Sequence, residues 1–321
     1  MKMFTVTVAE IVEEARDIKS FRLVRSDGAP LEPYSAGAHI DVLGPTEVVT
    51  QYSLCGPPQV TDSYLVAVKR ENGPRGASAA LHDRVSVGTE LRISPPRNLM
   101  SAVPGADHHV LVGAGIGLTP MLSLAFALHT QRQPFELHYF ARSREQAAFV
   151  DLLEQSEFAD RVHLHLGVTR DHQYRILERA LAALSGESHV YTCGPGDFMA
   201  RVRALAEPVV GEDHVHVEHF AAGTPIDSDT DTDVPFEIEL DTGEVFEVPV
   251  GASIAEVLEA NDIEIETSCR EGICGTCVLD VLDGTPDHRD NCLTVGEKKA
   301  GDRIAACVSR ARSPRLVVEL P

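Results

Sequence analysis

Residues 267–277 read Thr-Ser-Cys-Arg-Glu-Gly-Ile-Cys-Gly-Thr-Cys, which sets cysteines at 269, 274 and 277 in the spacing C-x4-C-x2-C. Thiolates that wrap a compact inorganic cluster need the backbone between them to curl tightly. Gly272 and Gly275 permit that curl and keep backbone N–H groups close to the sulfurs. A plant-type [2Fe–2S] site needs this spacing plus one distant cysteine. Two candidates follow, Cys292 and Cys307. Cys292 lies in a polar, turn-like stretch and Cys307 in the strand-like run Arg-Ile-Ala-Ala-Cys-Val of residues 303–308. A ligand is best held by a rigid element, so the fourth is read as Cys307. Structural zinc prefers paired C-x2-C units, and only one such pair is present. Cys269, Cys274, Cys277 and Cys307 are therefore read as a metal-cluster set, with Cys55 and Cys292 as structural residues.

Around this unit the sequence changes texture three times. Residues 1–101 carry short alternating runs, such as Phe21-Arg22-Leu23-Val24 and Tyr64-Leu65-Val66-Ala67-Val68, separated by Gly and Pro turns. That pattern predicts an antiparallel sheet or small barrel. Residues 102–222 alternate strand-like and helix-like segments, which predicts a parallel sheet with crossover helices. Helices are expected over 118–129, 145–153, 175–184 and 198–206. Residues 223–235 are rich in Asp and nearly devoid of apolar residues, and read as a self-repelling linker. In the last unit, residues 236–321, Ser253 is placed to cap a short helix running to Ala260.

Composition limits the function. The 321 residues carry a net charge of −21, which argues against nucleic acid or an anionic membrane as partner and suits solubility or a basic protein partner. No apolar run approaches the roughly 18 residues needed to span a bilayer, and no signal peptide is evident at the start. A cytoplasmic protein is expected. Seven cysteines, an odd number with four inside residues 269–292, point to metal rather than disulfides.

A second motif follows a strand-like run: Gly113-Ala114-Gly115-Ile116-Gly117-Leu118-Thr119-Pro120. It departs from the G-x-G-x-x-G fingerprint because residue 118 is Leu. Its glycines still let backbone approach a pyrophosphate at a helix start opened by Thr119 and Pro120. His214 and His216 share a strand face, read as an ordinary solvated one.

Residues 236–321 resemble plant-type [2Fe–2S] ferredoxins. The whole chain, in this order of parts, resembles the phthalate dioxygenase reductase family, which includes vanillate demethylase reductases. The resemblance implies a multidomain fold: an antiparallel β-barrel flavin domain (1–101), an α/β parallel-sheet NAD domain (102–222), the acidic linker (223–235) and an α+β ferredoxin domain of β-grasp type (236–321). It also implies a relay from NADH, with NADPH possible, through FMN and a [2Fe–2S] cluster to a terminal oxygenase component. That partner would be a Rieske-type aromatic oxygenase or demethylase, docking at the acidic ferredoxin domain. The alternatives are a cytochrome P450 acceptor, or a flavin-poor ferredoxin-like carrier.

The family's site residues carry over position by position. Its Arg-x-Tyr-Ser flavin motif matches Gln51, Tyr52, Ser53 and Leu54, with Tyr52 able to stack on the flavin ring and Ser53 to reach its N5 edge. Thr50 stands where the family has Arg, and a hydroxyl cannot supply a guanidinium charge, so weaker FMN retention is expected. Val68, Lys69 and Arg70, then Gly76, Ala77 and Ser78, match its second flavin segment, to which Arg75 adds a charge. Gly113, Gly115, Ile116, Gly117, Thr119 and Pro120 match the NAD loop, with Arg142 and Ser143 toward the adenosine ribose. Cys193, Gly194, Pro195 and Asp197 match the Cys-Gly-Pro motif beside the nicotinamide, and Glu218-His219-Phe220 the segment that approaches the flavin.

Overall fold

The computed structural model describes residues 3–71, 76–220 and 233–320, and the chain divides after Glu218 into two compact units. The first opens with strands β1 (Phe4–Ala15), β2 (Ile18–Arg25), β3 (Ala38–Leu43), β4 (Val49–Ser53) and β5 (Tyr64–Lys69). Helix α1 (Ala77–Arg84) and strands β6 (Glu90–Ile93) and β7 (Arg97–Asn98) follow. The antiparallel sheet runs β4-β3-β6-β1-β2-β5, with β7 beside β3. Its two ends meet just past β4, where Leu54 bridges to Val66 of β5 and the Cys55 N–H donates to the Leu65 carbonyl at 2.9 Å. This contact closes the expected barrel. Alternate residues point inward, as a strand's period of two dictates, and Val6, Val8, Phe21, Leu23, Ile40, Val42, Val66 and Ile93 fill the interior.

The same unit continues with β8 (His108–Ala114), α2 (Leu118–Thr130), β9 (Phe135–Ala141), α3 (Val150–Gln155), β10 (Val162–Leu166), α4 (Arg170–Leu181), β11 (Ser188–Cys193), α5 (Gly196–Val210) and β12 (Val215–Glu218). All five strands pair in parallel in the order β10-β9-β8-β11-β12. Leu111, Leu137, Tyr139 and Tyr191 face α2 through Met121, Leu122 and Ala125. Val110, Val112, Phe140 and Val190 face α4 and α5 through Leu177, Leu181, Val202 and Ala206. Barrel residues Ile18, Ala36, Cys55, Ala67 and Met100 join the α2 side of this core, which makes barrel and parallel sheet one compact body.

Two helices differ from expectation. α4 starts at Arg170 rather than 175, because the Thr169 hydroxyl accepts from the His172 N–H and caps it there. Residues 145–153 do not form a single helix, because Phe149 sits at φ 60° and α3 starts only after it. A left-handed residue of this size interrupts a right-handed helix.

The second unit holds β13 (Phe236–Leu240), β14 (Val245–Val248), α6 (Ile254–Ala260), β15 (Val278–Asp283), β16 (Pro286–Asp287), α7 (Val295–Ala300), β17 (Arg303–Ala305), β18 (Arg310–Ala311) and β19 (Arg315–Glu319). Its main sheet is β14-β13-β19-β15-β17, with β13 and β19 parallel and the other pairs antiparallel. α6 lays Ile254, Ala255 and Leu258 on that sheet. Ser253 caps it as expected: its hydroxyl accepts from the Glu256 N–H while Glu256 accepts from the Ser253 N–H.

Most of the expected linker, and Arg75, lie outside the described residues. The linker's last residues behave as part of the second unit instead. Asp233 accepts from Arg289 at 2.5 and 3.1 Å, and the Val234 carbonyl accepts from Arg310 at 3.1 Å. An Asp beside two guanidinium groups is attracted, not repelled. Among the described residues no helix is long and apolar enough to cross a membrane.

Candidate functional site

The second unit gathers four of its five cysteines at one end. Arg270, Gly272 and Gly275 have φ of 55°, 68° and 69°, so the 269–277 loop turns left-handed three times in six residues. Gly272 has no room for a side chain, since a Cβ there would lie 2.6 Å from Val308 Cγ2 and 3.0 Å from the Asp290 Cα. Backbone N–H groups point at the sulfurs: Glu271 donates to Cys269 Sγ at 3.3 Å and Thr276 to Cys274 Sγ at 3.4 Å. Donors of this kind stabilise thiolate-bound clusters.

The thiols fall into two pairs. The Cys274 thiol is held below its usual range chiefly by neighbouring Cys269 and the Cys277 thiol chiefly by neighbouring Cys307, while Cys269 and Cys307 are pushed up. Two thiol pairs suit two irons better than one ion enclosed by four sulfurs. Cys292 is buried nearby but turned away, its Sγ 3.4 Å from Asp290 Oδ2. Cys307 does not lie within a strand. It sits in the turn just after β17, so rigidity of element does not separate it from Cys292; the direction of the side chain does.

In the first unit, two Gly-rich turns meet at the carboxyl ends of β8 and β11. A Cβ on Gly117 would fall 2.3 Å from the Cys193 carbonyl oxygen and 2.7 Å from the Gly194 N, and one on Gly194 would fall 2.9 Å from Ala114 Cβ. Gly115 takes φ 58° with open space where a Cβ would be. Thr119 Oγ1 donates to the Ile116 carbonyl at 3.0 Å, which ties the turn to the start of α2. Pro120 is buried, while Pro195 precedes α5 and Asp197 lies in its first turn. Arg142 is exposed at the end of β9, and the Ser143 hydroxyl bonds to Glu145. Such strand ends are where open α/β sheets bind ligands.

β4 brings its residues to the same region. The Ser53 hydroxyl donates to Glu218 Oε1 at 3.1 Å. The other oxygen, Oε2, is sealed from solvent and has no hydrogen-bond partner. Burial pushes the Glu218 carboxyl up to about 8. The Cys193 thiol is also pushed well up, by burial and then by Glu218, so it is a neutral packing group beside the carboxyl. An orphaned buried oxygen beside a polar hydroxyl and two glycine turns is a setting made for a polar planar cofactor. The sequence marked Glu218 only as part of the 218–220 segment, with no role of its own. Its signal was a lone acidic residue at the carboxyl end of an otherwise Val/His strand.

The remaining flavin-segment residues are more self-contained. The Tyr52 hydroxyl accepts from Thr50 at 3.2 Å, and Gln51 donates to the fully buried Asp41 at 3.0 Å. Leu54 and Val68 are core residues. Lys69 pairs with Glu71 at 2.9 Å and Arg70 forms a two-pronged pair with Asp83. Gly76 is left-handed at the start of α1, followed by buried Ala77, and Ser78 bonds the Glu71 backbone. Phe220 is exposed and belongs to the second unit.

The 2Fe-2S iron-sulfur cluster binding domain family matches residues 238–312. A vanillate O-demethylase oxidoreductase of Pseudomonas sp. (strain HR199 / DSM 7063) is 41% identical over 99% of this chain and 100% of its own length. The solved structure of phthalate dioxygenase reductase, titled as a modular structure for electron transfer from pyridine nucleotides to [2Fe-2S], is 36% identical, covers 99% of this chain and 98% of its own, and superposes with a TM-score of 0.71. An intact type IV self-sufficient cytochrome P450 monooxygenase is 34% identical over 98% of this chain with a TM-score of 0.89, and the chain spans 41% of that longer polypeptide. On identity that runs the full length of both partners, the chain belongs to the phthalate dioxygenase reductase family, together with the vanillate O-demethylase oxidoreductases.

Proposed function

We propose that this chain is the reductase component of an oxygenase system, taking electrons from NADH and delivering them to a terminal oxygenase, of Rieske type acting on an aromatic substrate. The observation that carries the reading is the left-handed 269–277 loop, whose N–H groups point at the Cys269 and Cys274 sulfurs, in a domain of the 2Fe-2S class. These four would hold the cluster. Residues 1–101 are read as the flavin part, with Ser53 and Tyr52 beside FMN, and residues 102–222 as the nucleotide part, with the 113–120 and 193–197 turns against the pyridine nucleotide. When bound, FMN takes two electrons at once and gives them up singly, and a plant-type cluster carries one at a time. The protein's own task is placement: its glycine turns admit backbone to the nucleotide, Ser53 orients the Glu218 carboxyl, and the half-buried Glu218 keeps a proton. The protein is read as cytoplasmic.

Addition of NADH to the anaerobic, flavin-loaded protein should bleach flavin and cluster absorbance together. Cluster bands that do not respond, even after FMN is added, would overturn the reading.

The acidic second unit is proposed as the docking face. Residues 236–321 hold 18 acidic and 8 basic residues, which suits a basic patch on the oxygenase. Electron delivery should slow as salt rises from low to about 0.5 M; a salt-independent rate would refute this placement. A P450 is the second acceptor, favoured by the likeness to the P450-fused reductase, and reconstitution with each oxygenase class separates the two.

A further inference from the structure

The electron relay makes no use of the edge of the parallel sheet, where β9 and β10 set Glu136, His138, His163 and His165 together. His138 and His163 are direct register partners, and Glu136 lies two residues before His138, so all three project on one face by the period of two. Among the described residues, Glu136, His138 and His163 are the one set of three His, Cys, Asp or Glu whose ligand atoms lie within 4.8 Å of one another. Glu136 Oε2 is 3.5 Å from His138 Nε2 and 3.9 Å from His163 Nε2. Ligand atoms around a tetrahedral zinc, with bonds of about 2.0–2.1 Å, stand roughly 3.3 Å apart. The set is slightly expanded from that geometry and closes on it with small side-chain movements.

Two further observations point to a ligand. His138 is 5% exposed, and its Nε2 is buried, has no hydrogen-bond partner and faces the carboxylate. Its other nitrogen, Nδ1, is 3.1 Å from His165 Nε2, and His165 is itself stacked on Phe140 at 4.4 Å. A metal-bound histidine is oriented in this way, with the ring nitrogen that does not bind metal hydrogen-bonded to a fixed neighbour. Burial and the neighbouring His163 hold His138 down to about 4, so the ring is neutral and its lone pair available near pH 7. Glu136 and His163 are half exposed, which leaves an entry path and room for a water as fourth ligand.

We propose that Glu136, His138 and His163 bind a divalent transition-metal cation of the zinc class, separate from the iron–sulfur site. Two imidazoles and a carboxylate select zinc, cobalt or nickel over magnesium and calcium, which prefer all-oxygen shells. The cation would tie the edge strand β10 to β9.

The test is calorimetric titration of the full, cofactor-loaded protein with zinc sulfate after chelator treatment, with iron content measured before and after. One zinc per chain should bind with iron unchanged and with a raised melting temperature. His163→Asn and Glu136→Gln, both at partly exposed side chains, should each weaken binding tenfold or more. His214→Asn, outside this set, should leave it unaltered. Absence of binding, binding that releases iron, or equal affinity in all variants would each overturn the proposal.

Discussion

Ser53 and Glu218, 165 residues apart, share a hydrogen bond of 3.1 Å that joins the end of the barrel strand β4 to the end of the last parallel strand, β12. One link thus spans both sheets of the first unit, at the place where the two glycine turns converge. Each partner can be altered without changing side-chain size much. Ser53→Ala and Glu218→Gln should both slow NADH-dependent reduction of an artificial acceptor, by roughly ten- to a hundredfold, in line with the loss of one positioned polar group. Stopped-flow reduction measures this. Unchanged rates in both variants would confine the pair to a structural role.

Glu218 also sets a dependence of stability on pH. Its carboxyl is raised from 4.5 to about 8, so between those values the folded protein keeps a proton that the unfolded chain releases. Stability must then fall as pH rises from about 4.5 to about 8, and level off above. Thermal melts of wild type and Glu218→Gln across this window should differ in slope, with the variant flatter.

The cysteines separate by partner. Cys307→Ser removes a thiol paired with Cys277, and iron content with visible cluster absorbance should drop to a small fraction of wild type. Cys292→Ser breaks only a contact with Asp290 and should keep the cluster. Iron and sulfide analysis of both variants decides it; the reverse result would make Cys292 the fourth ligand.

Gly117→Ala forces a methyl to within 2.3 Å of the Cys193 carbonyl oxygen. Backbone on both sides must shift, at a cost of about 1–3 kcal/mol, and the nucleotide turn shifts with it. Both a lower melting temperature and weaker NADH binding are expected, measured by calorimetry and fluorescence quenching.

Thr50, read from the sequence as standing at the family's arginine position, spends its hydroxyl on Tyr52. Thr50→Arg adds a charge-assisted donor where a flavin phosphate is expected, and should tighten FMN binding by roughly tenfold or more. Equilibrium dialysis of the flavin-free protein reads it directly.

Residue order alone determined the parts whose information is local. The C-x4-C-x2-C spacing and its glycines define one loop, and the loop's left-handed turns follow from those residues. The change from two-residue to helical periodicity separated barrel from parallel sheet, and Ser253 marked its helix start. Helix boundaries near residue 149 were less legible, since a left-handed Phe has no composition signature. What tertiary structure alone decided is everything that depends on meeting across the chain: closure of the barrel through Leu54 and Val66, the turning of Cys307 toward Cys277 while Cys292 turns to Asp290, and the meeting of Ser53 with Glu218. Side-chain direction and long-range packing determine these, and a one-dimensional pattern carries neither. A glutamate at a strand's end looks like any surface acid until the fold buries one of its oxygens and sets the other against Ser53.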